Sequence, residues 1–199
     1  MGEKTYDRAL RIKTMGLREW RDHTVEYNRY EATPYEALDL LFKHYKIEKT
    51  DQVVDFGCGR GRVVFYIHNR FQVPVTGIEV NELTYEEALQ NKARYRQRAQ
   101  HIKAPIRFEF GLAEHYQVRP EDNVFYFFNP FSAKTFNKVV KNIVRSAQEV
   151  ERTMDIILYY PLPKFKMIMQ QNTPFRLINK VRMPRAKDKA EKFLIYRYP

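Results

Sequence analysis

The sequence predicts an α/β protein: a doubly wound, mostly parallel seven-stranded sheet with helices on both faces and an antiparallel last strand. Three observations carry this. Short β-branched and aromatic runs alternate with longer helical stretches, a pattern that requires parallel pairing through right-handed crossovers. A glycine-rich turn over residues 57–61 follows directly on the strand-like Val53-Val54, as at the crevice of doubly wound sheets. The last two strand-like runs are separated only by a loop, so the chain must turn back on itself.

The elements follow in order. Residues 7–29 read as a charged helix with Leu10, Leu17, Trp20 and Val25 as packing points, so residues 1–32 form an N-terminal helical extension to a domain spanning 33–199. Thr33-Pro34-Tyr35-Glu36 has the form of a capping box with Pro at the first helical position, opening a helix to about Tyr45. The first strand, 52–56, leads through the glycine turn into a helix ending near Arg70. The second strand ends at Glu79, and a long helix covers about 83–101. The third strand is 106–110, after Pro105. The fourth, 123–128, is a continuous aromatic run suited to a sheet centre buried on both faces. A helix from Ala133 to about Glu151 precedes the fifth strand, 155–160, and strands 175–181 and 192–198 end the series. Repeats, low-complexity tracts and Gly/Ser linkers are absent.

Composition agrees with one domain: 199 residues with 44% hydrophobic side chains can bury a sizeable core. Apolar runs stay short of the roughly 18 residues of a membrane span. The N-terminus lacks an apolar signal core, and the Met-Gly start has Tyr rather than Ser or Thr at position 6, which argues against myristoylation. Cys58, the one cysteine, cannot form an internal disulfide, which fits a cytoplasmic location. His23, His44, His68, His101 and His115 lack metal-ligand spacing, so no metal is expected.

The glycine turn identifies the ligand class. In Asp55-Phe56-Gly57-Cys58-Gly59-Arg60-Gly61 the glycines let backbone and ligand approach closely. A dinucleotide fingerprint would be Gly-x-Gly-x-x-Gly, but position 62 is Arg and the third glycine comes one residue early. Asp55 would repel a pyrophosphate; it suits a ligand bearing an ammonium and a sulfonium. Cys58 reads as a small filler beside that ligand.

This segment resembles the first motif of the class I S-adenosylmethionine-dependent methyltransferases, matched without a gap. Pro74-Val75-Thr76-Gly77-Ile78-Glu79 supplies their second element: Glu79, 20 residues past Gly59, ends a strand where a carboxylate can accept ribose hydroxyls. The resemblance implies the seven-stranded fold, S-adenosyl-L-methionine as cofactor, and contacts from Asp55, Phe56, Gly57, Cys58, Gly59, Gly61, Glu79 and Val80. Many relatives carry Gly-Asp-Ala after the third strand; here Gly111-Leu112-Ala113-Glu114 puts Leu where the adenine-binding Asp would be. Ala113 and Glu114 are the remaining candidates for that contact, while Glu114 as an ordinary solvated side chain is an equal reading.

Asn129-Pro130-Phe131, directly after the fourth strand, is the catalytic candidate, with Asn129 also beside the cofactor. Nitrogen-directed relatives often carry Asn or Asp, Pro, Pro and an aromatic residue there, and an Asn with an aromatic also occurs in non-SET histone lysine methyltransferases. Side-chain and proline-exposed carbonyls can orient an amino group, and an aromatic ring can stack on a planar substrate. The second Pro is missing here, and an ordinary strand-closing turn is the competing reading.

Charge bears on the substrate. The net charge is +11, and from Tyr160 to Pro199 six Lys and four Arg face only Asp188 and Glu191. Arg182, Arg185, Lys187 and Lys189 crowd the last loop, on the expected rim of the methyl-transfer mouth, as phosphate-binding side chains would. The expectation is therefore methylation of a nucleic-acid nitrogen, RNA first, with no membrane partner. Protein methylation on Lys or Gln, small-molecule methylation and a non-catalytic, cofactor-sensing nucleic-acid-binding module are the alternatives, and the oligomeric state is open.

Overall fold

The computed structural model describes residues 2–16, 31–184 and 188–198. Its elements are helices α1 (Glu3–Leu10), α2 (Tyr35–His44), α3 (Arg62–Phe71), α4 (Glu82–Arg98), α5 (Ala133–Glu149) and α6 (Pro163–Gln171). The strands are β1 (Val53–Phe56), β2 (Val75–Glu79), β3 (Ile106–Phe110), β4 (Val124–Phe127), β5 (Met154–Tyr159), β6 (Arg176–Arg182) and β7 (Lys192–Tyr198). They form one sheet in the order β3-β2-β1-β4-β5-β7-β6. All pairings are parallel except those of β7, which runs antiparallel to both β5 and β6. The expected doubly wound sheet is therefore present, and the chain reverses its winding between β1 and β4.

Alternation along the strands divides the core in two. Val53, Val75, Val124 and Ile157 face α2, α3 and α4, with Leu10 and Ile12 from the N-terminal segment joining that layer. Val54, Phe125, Ile156 and Leu158 face α5 and α6 on the other side. Phe136 of α5 and Phe165 of α6 stack with centroids 3.9 Å apart, which ties those helices together. Central strands in such a sheet are covered on both faces, and β1, β2, β4 and β5 are buried at every position, including the acids Asp55, Glu79 and Asp155.

Three local expectations are corrected. The helix expected over residues 7–29 ends at Leu10, where Arg11 turns left-handed at φ 56°. Asp7 draws the chain back, accepting from the Thr14 amide at 2.6 Å, the Thr14 hydroxyl at 2.7 Å and the Tyr35 hydroxyl at 2.7 Å; Leu17, Trp20 and Val25 lie outside the described residues. The capping box at Thr33 does not form: Glu3 instead accepts from the Tyr35 amide at 2.9 Å, and the Thr33 hydroxyl bonds to the Tyr126 hydroxyl at 2.8 Å. Helix α6, which the sequence reading passed over, begins at Pro163 and buries Phe165, Ile168 and Met169.

Candidate active site

The crevice opens where the winding reverses, at the carboxyl ends of β1, β2 and β4. The glycine turn is held there by the Gly57 and Cys58 amides, which donate to the Ile78 carbonyl at 2.9 and 3.0 Å. Gly57 has φ 73°, and a Cβ on it would stand 2.2 Å from the Cβ of Pro130. The Asn129-Pro130 turn thus closes directly onto the glycine turn. Gly61, at φ 89°, is also confined, since a Cβ there would stand 2.7 Å from the Phe108 ring and 2.8 Å from the Phe65 ring. These are positions where a side chain is excluded by both conformation and space.

Two acids lie in this crevice. Glu79 is buried and accepts three backbone donors: Gly59 at 2.8 Å on Oε2, and Val80 at 2.9 Å and Asn81 at 2.8 Å on Oε1. Burial raises its pKa, and those three bonds oppose the rise. Asp55 is 3% exposed and accepts no hydrogen bond among the described residues. Burial first, and then Glu79, push its carboxyl up to about 8. Two neighbouring buried carboxylates form a poor site for a phosphate and a good one for a cationic head group. The donor set therefore fits S-adenosylmethionine: Asp55 can face its ammonium and sulfonium. Three of about four lone-pair directions on Glu79 are already taken, which leaves room for one ribose hydroxyl rather than two.

The structure brings most of the expected residues to this crevice. Asp55, Gly57, Cys58, Glu79, Val80, Ala113, Pro130 and Phe131 line it. Gly59 and Gly61 shape the turn without lining it. Phe56 points to the other core layer, stacked on Phe127 at 5.0 Å, so it supports the turn from behind. Glu114 is not among the residues lining the crevice, and its carboxylate meets Lys138 of α5 at 3.3 Å. Burial, then Asp55 and Glu79, push the Cys58 thiol well up, which agrees with a filler rather than a nucleophile.

Asn129 stands at the rim in a left-handed conformation, φ 43°, and its amide nitrogen donates to the Tyr160 carbonyl at 2.6 Å. Arg182 and Lys189 are exposed on β6 and in the loop before β7, whereas Arg185 and Lys187 lie outside the described residues.

The sequence reading missed Glu31, Ala32, Thr33, Arg62 and Tyr126, which also line the crevice, as do Val63, Ile78, Gly111 and Phe128. Tyr126 pairs in register with Asp55 across β1 and β4, a relation only strand pairing reveals. Arg62 is buried at the start of α3, donates to the Thr14 hydroxyl at 2.7 Å and to the Thr33 carbonyl at 3.2 Å, pairs with Glu3, and lies over the Tyr35 ring at 4.4 Å. It bolts the N-terminal segment to the glycine turn. The only sequence signal for this was an arginine directly after Gly61.

The profile of the histone methylation protein DOT1 family matches residues 6–150, well over half of the chain. The chain belongs to the DOT1 family. A protein-lysine N-methyltransferase of Saccharolobus islandicus (strain REY15A) is 33% identical over 63 residues, which cover 31% of this chain and 39% of that relative. An RNA methyltransferase of Salinibacter ruber, solved with S-adenosyl-L-homocysteine, is 16% identical with a TM-score of 0.56, over 84% of this chain and 92% of that one. An S-adenosylmethionine-dependent methyltransferase of Methanosarcina mazei is 13% identical with a TM-score of 0.56, over 78% and 96%. At these identities the solved structures share the class I methyltransferase fold with this DOT1 family chain.

Proposed function

We propose that this protein is an S-adenosylmethionine-dependent methyltransferase whose acceptor is a lysine amine of a protein. The bound cofactor supplies an electrophilic methyl group on a sulfonium. Asp55 holds the cationic end, Glu79 the ribose, and Gly57, Cys58, Gly59, Gly61, Val80 and Ala113 shape the cradle, within a catalytic unit over 33–199 to which Glu3 and Thr14 are joined by Arg62.

The observation that carries the lysine reading is the chemistry of the mouth. Carboxylates and aromatic rings stand together there: Glu31, Tyr126, Phe128 and Phe131 line it, and Phe128 meets Tyr159 edge-on at 4.8 Å. Tyr159 donates to Glu191 at 3.0 Å, Tyr160 donates to Asp188, and Glu31 adds a further negative charge near both rings. Acids and ring faces attract an ammonium. The apolar walls then disfavour its charged form, so the ammonium would release its proton to solvent at the open mouth and present a neutral amine. Asn129 and the Pro130 carbonyl orient the lone pair, and Phe131 supports the turn from below. The DOT1 family and the name of the Saccharolobus relative agree with this acceptor.

Incubating the protein with methyl-labelled cofactor and separated cellular protein and RNA tests it. Label in the protein fraction, recovered as methyl-lysine after acid hydrolysis, is the expected result; label confined to RNA would overturn it. That second reading, a nucleic-acid nitrogen, has its own support in the basic rim beyond Tyr160.

A further inference from the structure

The acid-lined mouth adjoins a patch of opposite character. Arg182 of β6 is the register partner of Lys192 of β7, so two cations face each other directly across an antiparallel pair. Lys180, two residues back along β6, lies on the same sheet face. Lys166 of α6 belongs to the same group: after burial itself, Lys166, Lys180 and Arg182 act to lower the pKa of Lys192, and Asp188 opposes them more weakly. None of the four forms an ion pair with a described residue. Like charges placed opposite one another destabilise a strand pair. An ordinary surface intersperses charges of both signs.

The patch is joined to the site through the backbone. The Tyr160 amide donates to the Lys192 carbonyl at 3.0 Å, and the Tyr160 carbonyl accepts from Asn129. The cations thus begin two hydrogen bonds, through Tyr160, from the turn that carries the catalytic candidate. Tyr160 is therefore bonded through its backbone to both regions, and its hydroxyl donates to Asp188.

We infer that Lys166, Lys180, Arg182 and Lys192 form a docking surface for single-stranded RNA, whose phosphates they neutralise while the Tyr160 ring offers a stacking face. A lysine-bearing substrate would be repelled by this patch, so its role is separate from capture of the methyl acceptor. Charge complementarity selects a polyanion, and an aromatic face beside the cations selects one with unpaired bases. The inference goes beyond the lysine reading and does not need it to hold: an RNA-bound protein, or RNA itself, would be brought to the same rim.

Filter binding across salt concentrations tests it, with a single-stranded RNA, a duplex DNA of equal length and polyglutamate as probes. The wild type should bind the RNA best, with log affinity falling linearly in log salt. The triple variant Lys166→Ala/Lys180→Ala/Arg182→Ala should weaken RNA binding at least tenfold and reduce the slope by about 2, at roughly 0.7 per contact for a single strand. Calorimetry on the same variant should show unchanged affinity for S-adenosylhomocysteine, which separates this result from failure of the fold or of the cofactor site. Tyr160→Leu should weaken RNA binding with no change in slope. Absence of RNA binding by the wild type, an unaffected triple variant, or stronger binding of duplex or polyglutamate would overturn the inference. Label in methyl-lysine with no RNA binding would do so while leaving the lysine reading intact.

Discussion

The amide of Asn129 donates to the Tyr160 carbonyl at 2.6 Å, and both residues are left-handed, at φ 43° and 49°. This bond ties the turn after β4 to the turn after β5, two loops that leave the sheet side by side. Non-glycine residues held in this conformation cost free energy and persist only where the surroundings hold them, commonly at functional turns. Asn tolerates it best, because its short polar side chain bonds locally. Asn129 is thereby fixed in orientation before any substrate arrives.

Asn129→Ala should therefore act twice. Loss of the bond to Tyr160 should cost about 1 kcal/mol of stability. Methyl transfer at saturating cofactor should fall at least tenfold, with affinity for S-adenosylhomocysteine kept within a few-fold. Single-turnover rates and calorimetry on the same preparation distinguish the two effects, and full turnover would reduce Asn129 to a structural turn.

Asp55→Asn should raise stability and lower affinity. The folded carboxyl, pushed up to about 8, lies above its ordinary value of 3.8, so the protonated folded state is favoured. That contribution is complete below about 4 and is lost as pH rises through about 8. Protein without cofactor should lose stability from about pH 4 to about pH 8 and level off above, and the variant should be more stable at pH 8.5 by at least about 1 kcal/mol. Wild-type affinity for the cationic cofactor should rise as pH passes through about 8, where Asp55 ionises in the folded protein. Denaturant midpoints across pH measure the first effect, and a flat wild-type profile would count against it.

Glu79→Ala removes an acceptor for three backbone amides and, in the proposed function, for the ribose. Losing a charge-assisted bond costs about 1.5–3 kcal/mol, so cofactor affinity should fall more than tenfold. Glu79→Gln should recover part of the stability, since its carbonyl can still accept, but less of the affinity. Thermal melts with and without S-adenosylhomocysteine make the comparison.

Gly57→Ala should destabilise the protein by about 2 kcal/mol or more, since a Cβ at φ 73° is strained and meets Pro130. Gly2→Ala, which meets nothing within 4 Å, is the control and should leave the melting temperature unchanged.

What the sequence determined by itself was local. Strand β3 at 106–110 and strand β7 at 192–198 have the bounds their residue patterns indicate, and the other strands differ only at their ends. Asp55, the glycine turn and Glu79 were legible because ligand chemistry there depends on residue type at fixed spacing along one β-turn-α unit. Tertiary structure decided everything that depends on segments far apart in the chain. Thr33 turns from its expected cap to Tyr126, 93 residues away, because a helix N-terminus takes whichever acceptor the fold brings near, and here that is Glu3. Glu114 turns to Lys138, Arg62 gathers Glu3, Thr14 and Thr33, and Arg182 comes to lie opposite Lys192. Side chains on one strand or helix obey a period the sequence displays; which neighbour they meet is set by sheet order and register, which close only when the whole core packs.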